Sequence, residues 1–387
     1  MAALTIEIVK REVQSGKPVI QIAREYRVTR QAVYRHLNKL KKRRPKRRPK
    51  RNYNFIIDWK VYNEGLVKRG EFLLDFGLFG NWEEELAALN GVKRGRPYEY
   101  PASFILFFIR LKSLFKIDYR TLEGIARRLV VFIPQAQKAP DYTTFQVRSM
   151  RLGFSLEVYG EAKEYDMAGD ASGLKPTNRG EYRISHYGVK RKKFVKLHLA
   201  VNTKTKQVVY CNVTVEEVRD GKELPAMVSH AQRYGKIENG YFDAAYDSIK
   251  NYGMLKAEGI NPGIRPRRSM DLAWVRRRIK EIEQSGVGGC ELVRLKILEE
   301  YFTDEEGWKE RSGYGMRWAV EDRLSVLKRA FSEYVCGKTL ENIKREMIIK
   351  VNLMNLFTHL FTKPCAVSPG VGLHKTQKGQ KDLSDLM

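Results

Sequence analysis

The chain is short of cysteine, of long apolar runs and of acidic residues. Only Cys211, Cys290, Cys336 and Cys365 occur in 387 residues. No two have zinc-ligand spacing, and a disulfide framework does not suit so large a chain. They read as buried free thiols. The longest apolar stretch, Phe104–Ile109, stops at Arg110, which fits a buried helix better than a bilayer span. No lipidation motif is seen, and the N-terminal residues lack the apolar core of a signal peptide. These absences argue against a stapled secreted scaffold, a zinc module and a membrane protein. A soluble, cytoplasmic protein is expected.

The acidic shortfall is the informative one. Lys and Arg number 72 against 45 Asp and Glu, a formal net charge of +27. Such an excess opposes compaction unless a polyanion uses it. Double-stranded DNA is the leading partner. Half of the excess lies in residues 1–51, with 17 basic residues against 3 Glu.

Within that piece, Pro18 opens a helical pattern to Tyr26, and a second runs from Thr29, a candidate N-cap, to about Lys41. Ile22, Ala23, Tyr26, Val28, Val33 and Leu37 have helix-turn-helix spacing. Arg27 stands where such turns usually carry Gly. Arg30, Gln31, Tyr34 and Arg35 would project from the second helix toward a major groove. Residues 39–51, KLKKRRPKRRPKR, hold ten basic residues in thirteen. Their prolines prevent a helix, so an extended arm is expected, with Arg47 and Arg48 on phosphates.

The expected organisation is a helix-turn-helix over 1–41, a basic arm over 42–54 and a helical domain over 55–160. The helical domain shows no catalytic constellation and reads as packing. A mixed α/β domain follows over 161–362, then a disordered tail over 363–387. Short β-branched runs at Tyr165–Ala171, Lys193–Asn202 and Gln207–Val215 read as strands. Thr203–Lys206 forms a hairpin tip, and Tyr241–Asp243 a further short strand followed by a helix from about Ser248. A charged helical stretch over 270–302 interrupts the pattern, and helices follow at Tyr314–Phe331 and Leu340–Thr362.

The helix around Glu321 carries the strongest local signal. At about 100° per residue, Tyr314, Arg317, Glu321 and Lys328 share one narrow stripe. Val320, Leu324, Leu327 and Phe331 form the adjoining apolar stripe.

Tyr314, Arg317, Glu321 and Lys328 also match the YREK spacing of insertion-sequence DDE transposases. The chain resembles that family, in the group of insertion sequences 4 and 5, over about residues 95–360. DASGLK at 170–175, with HYGVKRKKFVKLHLAVNTKTKQVV after it, is similar to the family's first-aspartate strand and the next two. YFDAAYDS at 241–248 is similar to its second-aspartate strand. RPYEYPASFILFFIRLKSLFKIDYRTLEGIARRL and APDYTTF resemble the helical domain before the core.

The resemblance implies a ribonuclease-H-like catalytic core with a helical insertion about 264–312. It implies Asp170, Asp243 and Glu321 as catalytic residues and ligands of two Mg²⁺ or Mn²⁺. Three carboxylates can hold such hard cations, and metals about 3.5–4 Å apart serve in-line phosphoryl transfer. Water attack would free a 3′-hydroxyl, which would then attack target DNA. Arg317 and Lys328 would hold phosphates, and Tyr314 would position the strand. A homodimer on DNA is implied by analogy.

Rivals stay open. Asp166 precedes Asp170 on the same strand face, and Asp247 competes with Asp243 but suits a helix cap. His186 and His198 are candidate ligands, His198 reading better as a satisfied core residue. Asp220, Asp304 and Asp322 read as surface or capping residues. Arg265, Arg267, Arg268 and Arg276 to Arg278 read as a DNA track. A DNA-binding regulator with a dead core, or a nuclease on the same fold, are the alternative functions.

Overall fold

The computed structural model describes residues 6–15, 17–41, 59–91, 93–160, 162–176, 194–268, 270–285 and 289–361. The basic arm with Arg47 and Arg48, the segment holding His186, Cys365 and the tail lie outside the described residues. The chain forms two compact units, residues 1–58 and 59–387.

In the first unit, α1 (Ile6–Gln14), α2 (Val19–Glu25) and α3 (Arg30–Lys41) enclose Val9, Ile22, Ala23 and Val33. Tyr26, Val28 and Leu37 pack against this core. Arg27 adopts φ 52, the left-handed conformation in which such turns favour Gly. The Val28 amide then donates to the Ala23 carbonyl at 2.9 Å, closing the turn. Thr29 Oγ1 accepts from the Ala32 amide at 3.3 Å, as a cap should. Helix α1 had no counterpart in the sequence reading.

The second unit opens with a helical layer, α4 (Trp59–Leu73), α5 (Trp82–Gly91), α6 (Ala102–Phe115), α7 (Tyr119–Leu129) and α8 (Tyr142–Arg151). Asp118 and Asp141 cap α7 and α8. Helix α6 buries Phe104, Ile105, Phe107, Phe108, Ile109 and Leu111, which accounts for the apolar run.

A mixed sheet follows. Its strands are β1 (Glu164–Pro176), β2 (Val195–Asn202), β3 (Val208–Val215), β4 (Lys236–Phe242), β5 (Asn261–Ile264) and β6 (Tyr334–Val335). The order is β3-β2-β1-β4-β5, with β6 pairing the end of β1. The β1–β2 and β2–β3 pairs are antiparallel; β1–β4 and β4–β5 are parallel. This is the expected ribonuclease-H-like arrangement.

The remaining helices are α9 (Leu224–Ala231), α10 (Ile249–Ala257), α11 (Leu272–Ser285), α12 (Gly289–Thr303), α13 (Glu305–Arg311), α14 (Trp318–Phe331) and α15 (Leu340–Phe361). Alternation along the strands sends Met167, Ala200 and Phe242 to a core shared with α9 and α10. Ala168, Leu199, Val201 and Tyr241 face the other way, into a core shared with α14, α15 and the helical layer. The charged helical stretch over 270–302 divides into two helices, α11 and α12, around Val275, Ile279, Ile282, Leu295 and Leu298. No described helix is long and apolar enough to cross a membrane.

Candidate active site

Asp170 stands in the middle of β1, and Asp243 follows the last residue of β4. The parallel register runs through Met167↔Gly240 and Ala168↔Tyr241. Two steps further along, Asp170 comes level with Asp243, and both share the parity of Ala168 and Tyr241. They therefore lie on the sheet face covered by α14. On the opposite face Gly169 lets the sheet pack closely, since its added Cβ would meet Met227 Sδ and Phe242 Cε1 at 2.6 Å each. Asp243 caps the short turn after it, accepting from the Ala245 amide at 2.8 Å.

From the helix side, Arg317 ties two carboxylates together. Its Nη1 donates to Asp170 Oδ2 at 3.2 Å, and its Nη2 to Glu321 Oε1. Burial pushes the Asp170 carboxyl up. The Ala171 amide and Arg317 pull it down, and the charges of Asp243 and Glu321 push it up again. Asp243 and Glu321 thus both act on Asp170, which shares the Arg317 guanidinium with Glu321. Val320, Leu324, Leu327 and Phe331 are buried as expected, so α14 is fixed by its apolar stripe while Glu321 stays exposed.

The expected helix from Tyr314 needs a correction. Tyr314–Arg317 is a 3₁₀ turn, entered from Gly313 at φ 65, and the α-helix starts at Trp318. At three residues per turn, Tyr314 and Arg317 eclipse one another. The guanidinium carbon lies 5.7 Å from the Tyr314 ring centroid, and the ring packs on Trp308 at 5.4 Å. Lys328 lies two turns beyond Glu321, half-buried beside Glu333, whose carboxyl is lowered by Lys175 and by Lys328.

The rivals have other partners. Asp166 accepts from Asn239 Nδ2 at 2.6 Å and from the Tyr241 hydroxyl at 3.3 Å, level with the middle of β4. Asp247 is fully buried and meets Arg294 of α12 at 2.6 Å. Helix α10 is capped by Ser248 instead of Asp247, its side chain accepting from the Asn251 amide. His198 is buried, with Nε2 2.8 Å from Thr214 Oγ1, but its Nδ1 has no partner among the described residues, so it is only half satisfied.

Most of the run read as a DNA track has protein partners at the surface. Arg267 donates to the Ala244 and Ala245 carbonyls, Arg268 pairs with Glu305, Arg276 with Glu299, and Arg278 with Glu291. Arg265 Nε reaches the Tyr301 hydroxyl at 3.4 Å. Cations the sequence reading passed over, Lys196, Arg219, Lys222 and Lys250, surround a hollow of about 830 Å³ beside the Asp243 turn. In the first unit, Arg30, Gln31, Tyr34 and Arg35 are exposed along α3.

Among the described residues no three His, Cys, Asp or Glu side chains stand close enough to chelate an ion as they are. The donor chemistry nevertheless fits a hard divalent cation. Asp170, Asp243 and Glu321 offer only carboxylate oxygens, and Arg317 offsets the repulsion between Asp170 and Glu321.

Two family models described as Transposase DDE domain match the chain, one over residues 161–356 and one over 67–179. Similar solved structures include the piggyBac transposase synaptic complex with hairpin DNA. It is 12% identical, with 77% of this chain and 75% of that chain covered and a TM-score of 0.31. The Mos1 Strand Transfer Complex is 11% identical, covering 83% and 94%, with a TM-score of 0.19.

Proposed function

The chain belongs to the Transposase DDE domain family, and from that premise we propose that it binds the terminal inverted repeats of its own element, nicks them and joins the freed ends to target DNA. Asp170, Asp243 and Glu321 are the catalytic residues in this reading. What carries it is the register that sets Asp170 level with Asp243 on the face of α14, where Asp170 and Glu321 share Arg317.

The three carboxylates would hold Mg²⁺ or Mn²⁺, which activates an attacking oxygen and stabilises a leaving one. In the first step a water oxygen bonds to phosphorus, the bond to the 3′-oxygen breaks, and that oxygen leaves as a 3′-hydroxyl. In the second, the same hydroxyl oxygen bonds to a target phosphorus and displaces its 3′-oxygen. Neither step needs a protein nucleophile. Arg317 keeps Asp170 and Glu321 together before DNA arrives, and its fork suits a backbone phosphate. Lys328 lies about 10 Å further along the helix axis, at seven residues' rise, and would take a second phosphate. Tyr314, steadied by Trp308, presents a phenol edge to the strand. Helix α3 would read the repeat through Arg30, Gln31, Tyr34 and Arg35, with Arg47 and Arg48 of the arm on phosphates. Synapsis of two ends calls for a homodimer on DNA.

The test incubates the protein and Glu321→Gln with Mn²⁺ and duplexes bearing its element ends. Joined products that vanish in the variant support the proposal. Cleavage without joining indicates a nuclease, and binding without cleavage a regulator; either outcome refutes it.

A further inference from the structure

The helical layer, expected only to pack, holds a cationic hollow of about 600 Å³ between the α5–α6 loop and α8. Asn90 pins that loop from both sides of Tyr98. Its Nδ2 donates to the Tyr98 carbonyl at 3.0 Å, and the Tyr98 amide donates to its Oδ1 at 2.7 Å. Around the fixed ring gather three cations. The Arg148 guanidinium carbon lies 3.8 Å from the ring centroid and Lys93 Nζ 4.4 Å. Arg151 lies against the phenol, and the three together hold the Tyr98 pKa below the usual tyrosine value.

Two carboxylates also line the hollow, and each has other partners. Glu99 pairs with Arg96 and Lys138, and Asp141 accepts from Thr143 and Thr144 at the start of α8. Lys93, Arg148 and Arg151 therefore have no carboxylate partner among the described residues. Arg148 is 6% exposed and, among the described residues, donates to the Tyr100 carbonyl and to no carboxylate, so a nearly buried cation lines the hollow without an ion pair of its own. Convergent cations of this kind need an anion. The Tyr98 ring, already engaged by two of them, is not offered to a base, so the hollow reads charge and not sequence. Arginine forks match phosphate oxygens.

We propose that this hollow is a DNA-backbone clamp, taking phosphates of duplex DNA through Arg148 and Arg151, with Lys93 on the Tyr98 ring taking a further phosphate just outside it. It rests on the reading of the chain as a DNA-processing enzyme, and gives the helical layer a binding role separate from the carboxylates.

The full chain is titrated with a labelled duplex of arbitrary sequence over a range of salt, without divalent metal. Arg151→Gln lowers the slope of log affinity against log salt by about one, and Arg151→Gln with Lys93→Gln by about two, since each phosphate contact contributes close to one. The loss is the same on unrelated sequences. Lys236→Gln, at the start of β4 and so at the far end of the strand from Asp243, removes equal charge and leaves the slope unchanged. Arg151 is exposed, so its variant keeps the parent melting temperature. Unaltered slopes, or an equal change in Lys236→Gln, overturn the clamp alone. Failure of the unaltered chain to bind DNA overturns the transposase reading and the clamp with it.

Discussion

Replacing Arg294 by Met tests how α12 supports the sheet edge that carries Asp243. Arg294 Nε and Nη2 meet the two oxygens of Asp247 at 2.6 and 3.0 Å, with 9% and 0% of the two side chains exposed. Asp247 Oδ2 also accepts from the Arg267 amide at 2.9 Å. The Arg267 side chain in turn donates to the Ala244 carbonyl at 2.6 Å and the Ala245 carbonyl at 3.0 Å. A continuous chain of bonds thus runs from α12 to the turn that Asp243 begins. Removing the guanidinium strands a buried carboxylate, a change that costs about 3–5 kcal/mol. Replacing both partners with apolar groups, Asp247→Leu with Arg294→Met, removes the desolvation cost along with the attraction, so most of that stability returns. Urea unfolding followed by tryptophan fluorescence measures both. Strand transfer per folded molecule falls furthest in the double variant, which alone loses the carboxylate that accepts the Arg267 amide beside the Asp243 turn. A cost below about 1 kcal/mol for Arg294→Met, or a double variant as unstable as the single, would refute the reasoning from burial.

Other consequences are as specific. Burial holds the His198 imidazole below its ordinary 6.5. The unfolded chain therefore protonates first as pH falls, and stability is complete above about pH 7 and declines through the mid-6 range. Urea midpoints at about pH 7.5 and about 5.5 should separate the parent from His198→Gln, which lacks that decline. Gly169→Ala drives a methyl into Met227 and Phe242, costing about 1–3 kcal/mol and weakening strand transfer through the neighbouring Asp170, as thermal unfolding and joining assays would register. Ile22→Ala empties the core of the first unit, fully buried at that position, by about 2–5 kcal/mol. Calorimetry should then show the N-terminal unit melting earlier and specific end binding falling with it. In a Cys365→Ser background, Cys290 and Cys336 react at once with a thiol reagent. Cys211, half-buried and with its thiol pushed up to about 12 by burial, reacts more slowly than either. The expectation of uniformly buried thiols thus fails at the two exposed positions.

The parts of the fold legible in sequence were those fixed by local periodicity. Helices α2 and α3 followed from apolar spacing, and the structure adds why Arg27 suffices at the turn: a single residue at φ 52 is all the geometry requires. The β2–β3 hairpin followed from β-branched runs on either side of Thr203–Lys206. Strand β5 did not, because Asn261–Ile264 reads NPGI, a turn-like composition that becomes a strand only by pairing with β4. The 3₁₀ turn at Tyr314 was likewise hidden, although Gly313 and Gly315 around it signal a break in helical order.

The candidate site shows the same division between local pattern and convergence. Glu321 and Arg317 were legible because four residues apart on a helix are neighbours. Asp170 and Asp243 were legible only by resemblance, since the register that aligns them spans 73 residues of chain. Asp247 looked like a capping residue because its partner Arg294 is 47 residues away. Charge misled for the same reason. The run at Arg265 to Arg278 is dense in sequence, yet the fold sets Glu305, Glu299 and Glu291 opposite three of its members. Lys93, Arg148 and Arg151 are scattered in sequence, yet the fold gathers them on one tyrosine and gives the nearby carboxylates other partners. Availability to a polyanion follows from what lies opposite a cation in space, which is why the proposed clamp rests on the sparse trio and not on the dense run.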